Sequence, residues 1–268
     1  QEKSPSFSAN QAKQFFYCFG CGASGNALDF VMRYDHLGFR EALEYLSNQL
    51  GLELPTDSND QQHQANQPLY DVVAKANQLY QQALRGAPEA INYLKSRGIT
   101  GQTAKTFGLG YAPEGWDFLM HSLNDPNARD PLHQAGMLLE KQGRYYDRFR
   151  HRILFPIRDT RARVVGFGGR SLGDSKPKYL NSPETPIFHK NNELFGLYEC
   201  KQACSQIDQL IITEGYMDVI SLHQAGIHNA VATLGTAINK QHIQKLLRYT
   251  NTLVFCFDGD KAGRAAAW

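Results

Sequence analysis

Long apolar runs are missing from this 268-residue chain, and nothing in it approaches the roughly 20 consecutive apolar residues of a membrane-spanning helix. A helical anchor within the sequence is thereby excluded, and no membrane partner is expected. Cysteine is scarce: Cys18, Cys21, Cys200, Cys204 and Cys256 are all there are. An odd number spread this thinly is not a disulfide framework, so a reducing compartment, the cytoplasm, is expected. No secretory leader is visible. The chain begins at Gln1 rather than Met, so the natural amino terminus is expected upstream. Net charge is almost absent at +2, and there is no internal repeat.

What the chain does have is a core-forming composition, 42% hydrophobic and 20% charged, enough for one large or two modest soluble domains. Its charge is unevenly placed. Between Arg144 and Lys190 there are eleven Lys or Arg against four Asp or Glu. A block this basic points to a polyanionic partner. A solvated charged face is the plainer alternative for any one charge run, but here Phe, Tyr and Gly are interleaved with the cations.

Four regions follow from composition. Residues 1–54 hold a Cys/Gly/aromatic knot, "FFYCFGCGASGNALDF", then a helical pattern, "FREALEYLSNQLGLELP", with Gly51 as its stop. Residues 55–68 are Gln/Asn-rich with nothing to bury, which predicts a flexible linker. Residues 69–208 begin helical, with an apolar stripe of Leu69, Val72, Val73, Ala76, Leu79, Tyr80 and Leu84. A second helix there starts near Pro88 and stops at Gly98, and "RILFPIRDTRARVVGFGGR" then reads as a β-hairpin. In residues 209–268, "LIIT", "NAVATL" and "TLVFCF" alternate with two helical patterns. That βαβαβ order demands a parallel sheet. A helix-like run from Lys261 to Trp268 closes the chain. The expected fold is α/β and α+β: a small Cys/Gly-rich piece, a linker, a mixed helical and β subdomain, and a parallel βαβαβ sheet.

In open parallel sheets ligands bind beyond the carboxyl ends of the strands. Glu214 and Gly215 follow the first strand, Gly235 and Thr236 the second, Asp258, Gly259 and Asp260 the third. Three carboxylates leaving one edge would repel one another unless a cation sits among them. Hard oxygen ligands suit Mg²⁺ or Mn²⁺. Asp-Gly-Asp alone is commonly a turn or helix cap; Glu214 on a neighbouring strand favours the metal. Separately, Cys18-Phe-Gly-Cys21 has the spacing of a zinc knuckle, although a redox pair or two ordinary cysteines fit a lone CxxC as well.

"TEGYMDVISL" followed by "DGDKAG" resembles the Toprim fold of bacterial primases, type IA and type II topoisomerases and some nucleases. "YDRFRHRILFPIRD", "VVGFGGR", "KPKYLNSPETPIFHK" and "LFGLYE" resemble the RNA polymerase domain of bacterial replicative DNA primases of the DnaG type. "EKSPSF" and "YCFGCGASGNALDFVM" resemble their zinc-binding domain. The resemblance implies template-directed synthesis of short RNA primers on single-stranded DNA from ribonucleoside triphosphates, at the replication fork in the bacterial nucleoid. It implies Mg²⁺ or Mn²⁺ at Glu214, Asp258 and Asp260. It also implies nucleotide and template contacts from Arg97, Arg170, Lys178, Tyr179, Asn181 and Lys190, with Arg148 and Arg150 in the neighbouring "DRFR" and Gly235 and Thr236 beside the acidic edge. Zn²⁺ would be held by Cys18, Cys21 and a further Cys and His upstream of "EKSPSF", so this chain carries half a zinc site. The resemblance further implies another acidic pair on a following strand and a carboxyl-terminal module contacting the replicative helicase, both beyond this chain. Ala162 stands where relatives often have glycine. Another Toprim enzyme, a topoisomerase or nuclease, and a non-catalytic nucleic-acid-binding module are the alternatives.

Overall fold

The computed structural model describes residues 6–35, 37–52, 58–235 and 237–259. Asp260, Thr236 and the expected helical run at 261–268 lie outside the described residues. The chain divides into two compact units, 1–61 and 62–268.

In the first unit, β1 (Phe7–Asn10), β2 (Phe15–Cys18) and β3 (Ser24–Gly25) form an antiparallel sheet in that order. Helices α1 (Ala27–Tyr34) and α2 (Phe39–Leu50) follow. Asn26 caps α1 reciprocally: its side chain accepts the Asp29 N–H, and the Asp29 carboxylate accepts the Asn26 N–H. α2 ends as expected at Gly51, whose φ of 64° is the left-handed value that glycine takes without penalty. The core is thin, with Phe16, Val31 and Ala42 buried and Phe7 and Phe30 packed on Phe16.

Helix α3 (Ser58–Arg85) lies almost wholly in the second unit, and here an expectation fails. Residues 58–68 are helical, not a flexible linker. Gln and Ala are adequate helix formers, and extending a helix already held by packing adds one hydrogen bond per residue without a new nucleus. Pro68 lies inside it. The packed part is the expected stripe, with Leu69, Val72, Val73, Ala76, Tyr80 and Leu84 all buried. α4 (Pro88–Ser96) starts on its proline and stops before Gly98; α5 (Gly101–Thr106) is capped by the Thr100 hydroxyl.

Strand β4 (Gly110–Ala112) leads through α6 (Phe118–Leu123) and α7 (Arg129–Gln134) to a small hairpin, β5 (Leu138–Lys141) and β6 (Arg144–Asp147). The expected larger hairpin is β7 (Arg152–Arg158) with β8 (Val164–Ser171). They are the middle strands of a four-stranded antiparallel sheet, ordered β4-β7-β8-β9, with β9 at Tyr179–Asn181. In the β7–β8 turn the Asp159 carboxylate accepts the N–H groups of Arg161 and Arg163, leaving Ala162 at φ 68°. A Cβ in that region costs about 1–2 kcal/mol, part of which glycine would return as chain entropy. Ala162→Gly is therefore expected to raise the melting temperature by about 2–4 °C, readable by calorimetry.

After α8 (Leu197–Ala203) comes the alternating unit: β10 (Leu210–Thr213), α9 (Tyr216–Gln224), β11 (Ala230–Ala232), α10 (Lys240–Leu246) and β12 (Leu253–Phe255). β10 is central and parallel to both neighbours, in the order β11-β10-β12. The parallel sheet and the antiparallel sheet share one core, in which Phe155 of β7 and Phe195 pack on Tyr216 of α9. All five cysteines are free, and burial drives the Cys200 thiol up to about 12. No helix among the described residues is long and apolar enough to cross a membrane.

Candidate functional site

Because β10 and β12 are parallel neighbours, the residues that follow them emerge at the same edge. Glu214 and Asp258 are both exposed there, and the Asp258 N–H donates to Glu214 Oε1 at 2.8 Å. The main chain of Asp258 thus meets the Glu214 carboxylate at the strand ends; Asp260 lies outside the described residues. A third carboxylate was not singled out from sequence. Asp218, in the first turn of α9, accepts the Gly215 N–H at 3.0 Å. Burial holds its pKa above the usual carboxylate range; the Gly215 N–H opposes this, and Asp258 adds to the rise. The signal was available as a helix-start pattern, an acid three residues after Gly215. Among the described residues no group of three or more His, Cys, Asp or Glu is close enough to hold an ion by itself. Oxygen donors of one sign, exposed at one edge, are nonetheless a donor set that fits a hard divalent cation.

Gly235, after β11, has φ 73°, and a Cβ on it would lie 2.9 Å from Asn181 Nδ2. Asn181 is committed to the protein: its Nδ2 donates to Leu234 O at 2.7 Å, and its Oδ1 accepts the Tyr216 hydroxyl at 2.8 Å. It ties β9 of the antiparallel sheet to the carboxyl edge of the parallel one.

The expected cations fall into two groups. In the first, Arg170 lies over the Tyr93 ring at 4.2 Å, and Arg97 sits 6.0 Å from the same ring. Tyr179, 39% exposed, stacks towards Tyr216 with ring centroids 6.4 Å apart. Burial raises the Tyr179 phenol pKa, and Arg170 pulls it the other way. In the second group, Arg150 lies over Trp116 at 4.2 Å and Tyr146 at 5.4 Å, and Arg148 donates to Asn181 O at 3.1 Å. A cleft joins Arg148 and Arg150 to Trp116 and Lys176. Burial lowers the Arg148 pKa. Arg148 and Arg170 each keep a buried Nε without a hydrogen-bond partner among the described residues. Lys178 is exposed on the approach to β9. Lys190 is half-buried, with its main chain held by Glu184 and His242, and no contact among the described residues ties its side chain to either group. Tyr93 as the partner of Arg170, and Trp116 as the partner of Arg150, were missed in the sequence because each lies far along the chain from that arginine; Tyr93 and Arg97, four residues apart, are a local pair.

Asp147 sits under the second group. Its Oδ2 accepts the Leu119 N–H, its Oδ1 is buried without a partner among the described residues, and burial lifts its pKa to about 7. A carboxyl raised in the folded state binds a proton that the unfolded chain has already lost. Its stabilising share is full below pH 3.8 and disappears as pH rises through about 7. Asp147→Asn is expected to flatten the fall in stability between pH 4 and pH 8, on the order of 4 kcal/mol, as followed by urea titration at each pH.

In the first unit, Cys18 and Cys21 flank a knuckle closed by the Gly22 N–H to Cys18 O at 2.8 Å. The Cys21 N–H beside the Cys18 sulfur draws that thiol's pKa down, favouring the thiolate that zinc requires. A thiolate pair at this spacing has the donor chemistry for two of the four positions that a structural zinc ion takes.

Three family descriptions match the chain in order: a CHC2 zinc finger at residues 1–62, the N-terminal domain of the DNA primase catalytic core at 79–201, and a Toprim-like domain at 211–268. The matches at the two ends imply zinc and divalent-metal binding. A DNA primase of Pseudomonas aeruginosa is 52% identical over 279 residues, which cover all of this chain and 42% of the relative. One from Escherichia coli is 50% identical, covering all of this chain and 47% of the relative. The chain thus spans less than half the length of these relatives. Among solved structures, a DnaG primase catalytic domain bound to single-stranded DNA is similar at 49% identity and a TM-score of 0.72, over 78% of this chain and 66% of that one. The zinc-binding and RNA polymerase domains of Aquifex aeolicus primase are similar over all of this chain and 66% of that one, at 37% identity and a TM-score of 0.71. The RNA polymerase domain of Mycobacterium tuberculosis primase is 37% identical over 74% of this chain and 69% of that one, with a TM-score of 0.65.

Proposed function

Because this chain belongs to the family of bacterial DnaG-type DNA primases, we propose that it carries the catalytic edge of an enzyme that copies single-stranded DNA into short RNA primers. The observation that carries the reading is the meeting of Glu214 and Asp258 at the carboxyl edge of a parallel sheet, with arginine–tyrosine layers on the adjoining sheet. Glu214, Asp258 and Asp260 would hold Mg²⁺ or Mn²⁺, and a divalent ion there supplies charge neutralisation on the triphosphate and a lower pKa for the attacking hydroxyl.

The chain's own residues do the positioning. Arg97 and Arg170, layered on Tyr93, present guanidinium N–H groups to phosphate oxygens in the planar fork that suits them. Tyr179 offers ring surface for a base, a sequence-tolerant contact worth about 1–3 kcal/mol. Arg148, Arg150, Lys178 and Lys190 line the path of the template backbone. Asn181 does its work indirectly, holding Tyr216 and the Leu234–Gly235 turn, with Thr236 next in line, so that both sheets face one substrate. The 3′-hydroxyl of one ribonucleotide attacks the α-phosphate of another, pyrophosphate leaves, and the hydroxyl proton passes to solvent or to Glu214.

Cys18 and Cys21 are read as half of a structural Zn²⁺ site in a template-binding module at 1–54, with the polymerase region at 69–208 and 209–268. Single-stranded DNA, ribonucleoside triphosphates and, through a further domain, the replicative helicase are the partners, in the bacterial nucleoid. The longer protein containing this chain, incubated with single-stranded template, Mg²⁺ and labelled ribonucleotides, is expected to yield short oligoribonucleotides. Nicked DNA instead would make it a nuclease or topoisomerase, and neither product would leave a binding module.

A further inference from the structure

A groove of about 340 Å³ opens where the end of α3 meets α4 and α5. Its floor is aliphatic: Leu84, Leu94, Ile99 and Leu109 are buried side chains of the main core, and Ile91 and Ala104 pack half-buried beside them. Its rim is cationic. Arg85, Lys95 and Lys105 come one from each helix, all exposed, and none makes an ion pair among the described residues. Among the described residues no Asp or Glu lines it.

The groove is separate from the nucleotide site. On α4, Ile91, Leu94 and Lys95 share the groove face, and Tyr93 and Arg97 lie about half a turn away on the face towards Arg170. It also differs in chemistry. Each arginine group of the candidate site is layered on a tyrosine or tryptophan, the arrangement that stacks bases. Among the described residues no aromatic side chain lines the groove. An aliphatic floor with no ring to stack on is a poor match for nucleic acid. It matches an aliphatic side chain flanked by carboxylates, since its charged rim offers donors only and needs acceptors of opposite sign.

We propose that the α3–α4–α5 groove docks an acidic, leucine-bearing peptide segment of a partner protein, its aliphatic side chain on the Leu84–Leu94–Leu109 floor and its carboxylates on Arg85, Lys95 and Lys105. The test is fluorescence anisotropy with the 268-residue chain and a labelled ten-residue peptide of alternating Asp and Leu. Tight binding is expected, weakened at least tenfold when every Leu is replaced by Ser, and at least tenfold by the triple variant Arg85→Glu, Lys95→Glu, Lys105→Glu. All three positions are exposed, so the variant is expected to keep its far-ultraviolet circular dichroism and its affinity for labelled oligo-dT. If that variant misfolds, Lys95→Glu alone, with an expected loss of at least threefold, decides instead. Peptide affinity unchanged by charge reversal, or equal for the Asp/Ser peptide, overturns the proposal. A parallel loss of oligo-dT binding in a folded variant also overturns it and gives the groove to DNA.

Discussion

Asp258→Asn in the longer protein is expected to cut Mg²⁺-dependent primer synthesis by about 10²-fold or more, the scale seen when a group stabilising transition-state charge is removed. The substitution keeps the shape of the side chain and the Asp258 N–H that donates to Glu214, and removes one negative charge. Asp258 is exposed, so its own burial contributes nothing to stability. In the absence of metal the variant is therefore expected to melt at the same temperature as the parent, or slightly higher, because like charges at the edge are fewer. With Mn²⁺ added, the parent is expected to gain stability as any protein does on binding a ligand to its folded form, and the variant to gain far less. Differential scanning calorimetry with and without Mn²⁺ reads both effects. An undiminished Mn²⁺-induced rise in the variant would remove Asp258 from the ion site, and full primer synthesis would remove it from the chemistry.

Gly168→Ala is expected to be the most damaging single methyl in the second unit. A Cβ at Gly168 would fall 2.2 Å from Cζ of Tyr216. That ring has nowhere to go: it is 5% exposed, stacked on Phe155 at 4.9 Å and edge-on to Phe195 at 4.8 Å. Overpacking of this kind costs about 1–3 kcal/mol, and for a unit of this size each kcal/mol moves the melting temperature by about 2–4 °C. The damage is also directed. Displacing Tyr216 breaks its hydrogen bond to Asn181 and shifts the start of α9, two residues from Glu214. Mn²⁺ affinity is therefore expected to fall along with stability. Tyr216→Phe separates the two causes, since it removes the hydroxyl without crowding and leaves Asn181 Oδ1 one donor short, at about 1 kcal/mol. A melting temperature within about 1 °C of the parent for Gly168→Ala would mean that β8 and α9 do not press together as described.

The acidic edge was legible because its logic is local. Glu214 and Asp258 each follow an apolar run, and crossover helices return the chain in one direction, so both runs must end at the same edge. Helix stops at Gly51 and Gly98 and the β7–β8 hairpin were legible for the same reason, since each needs only a few neighbouring residues. The helical state of 58–68 was not, because polar Gln/Asn sequence is indifferent by itself and takes its state from the packed helix it continues.

The partners of the cations were beyond local reading as well. Nothing near Arg170 or Arg150 in the chain announces Tyr93 or Trp116, and the hydrogen bonds that hold Asn181 arise from separate segments brought together by a shared core. Periodicity and turn residues sufficed for the helices around 39–50, 69–85 and 88–96, the β7–β8 hairpin and the parallel βαβαβ order, since these depend on backbone geometry within a short window. It took packing between distant segments to set Arg170 on Tyr93 and Arg150 on Trp116, to bond the Asn181 side chain to Leu234 and Tyr216, and to open an aliphatic groove with a cationic rim on the far face of α4. Those depend on burial between distant segments, which no local pattern encodes.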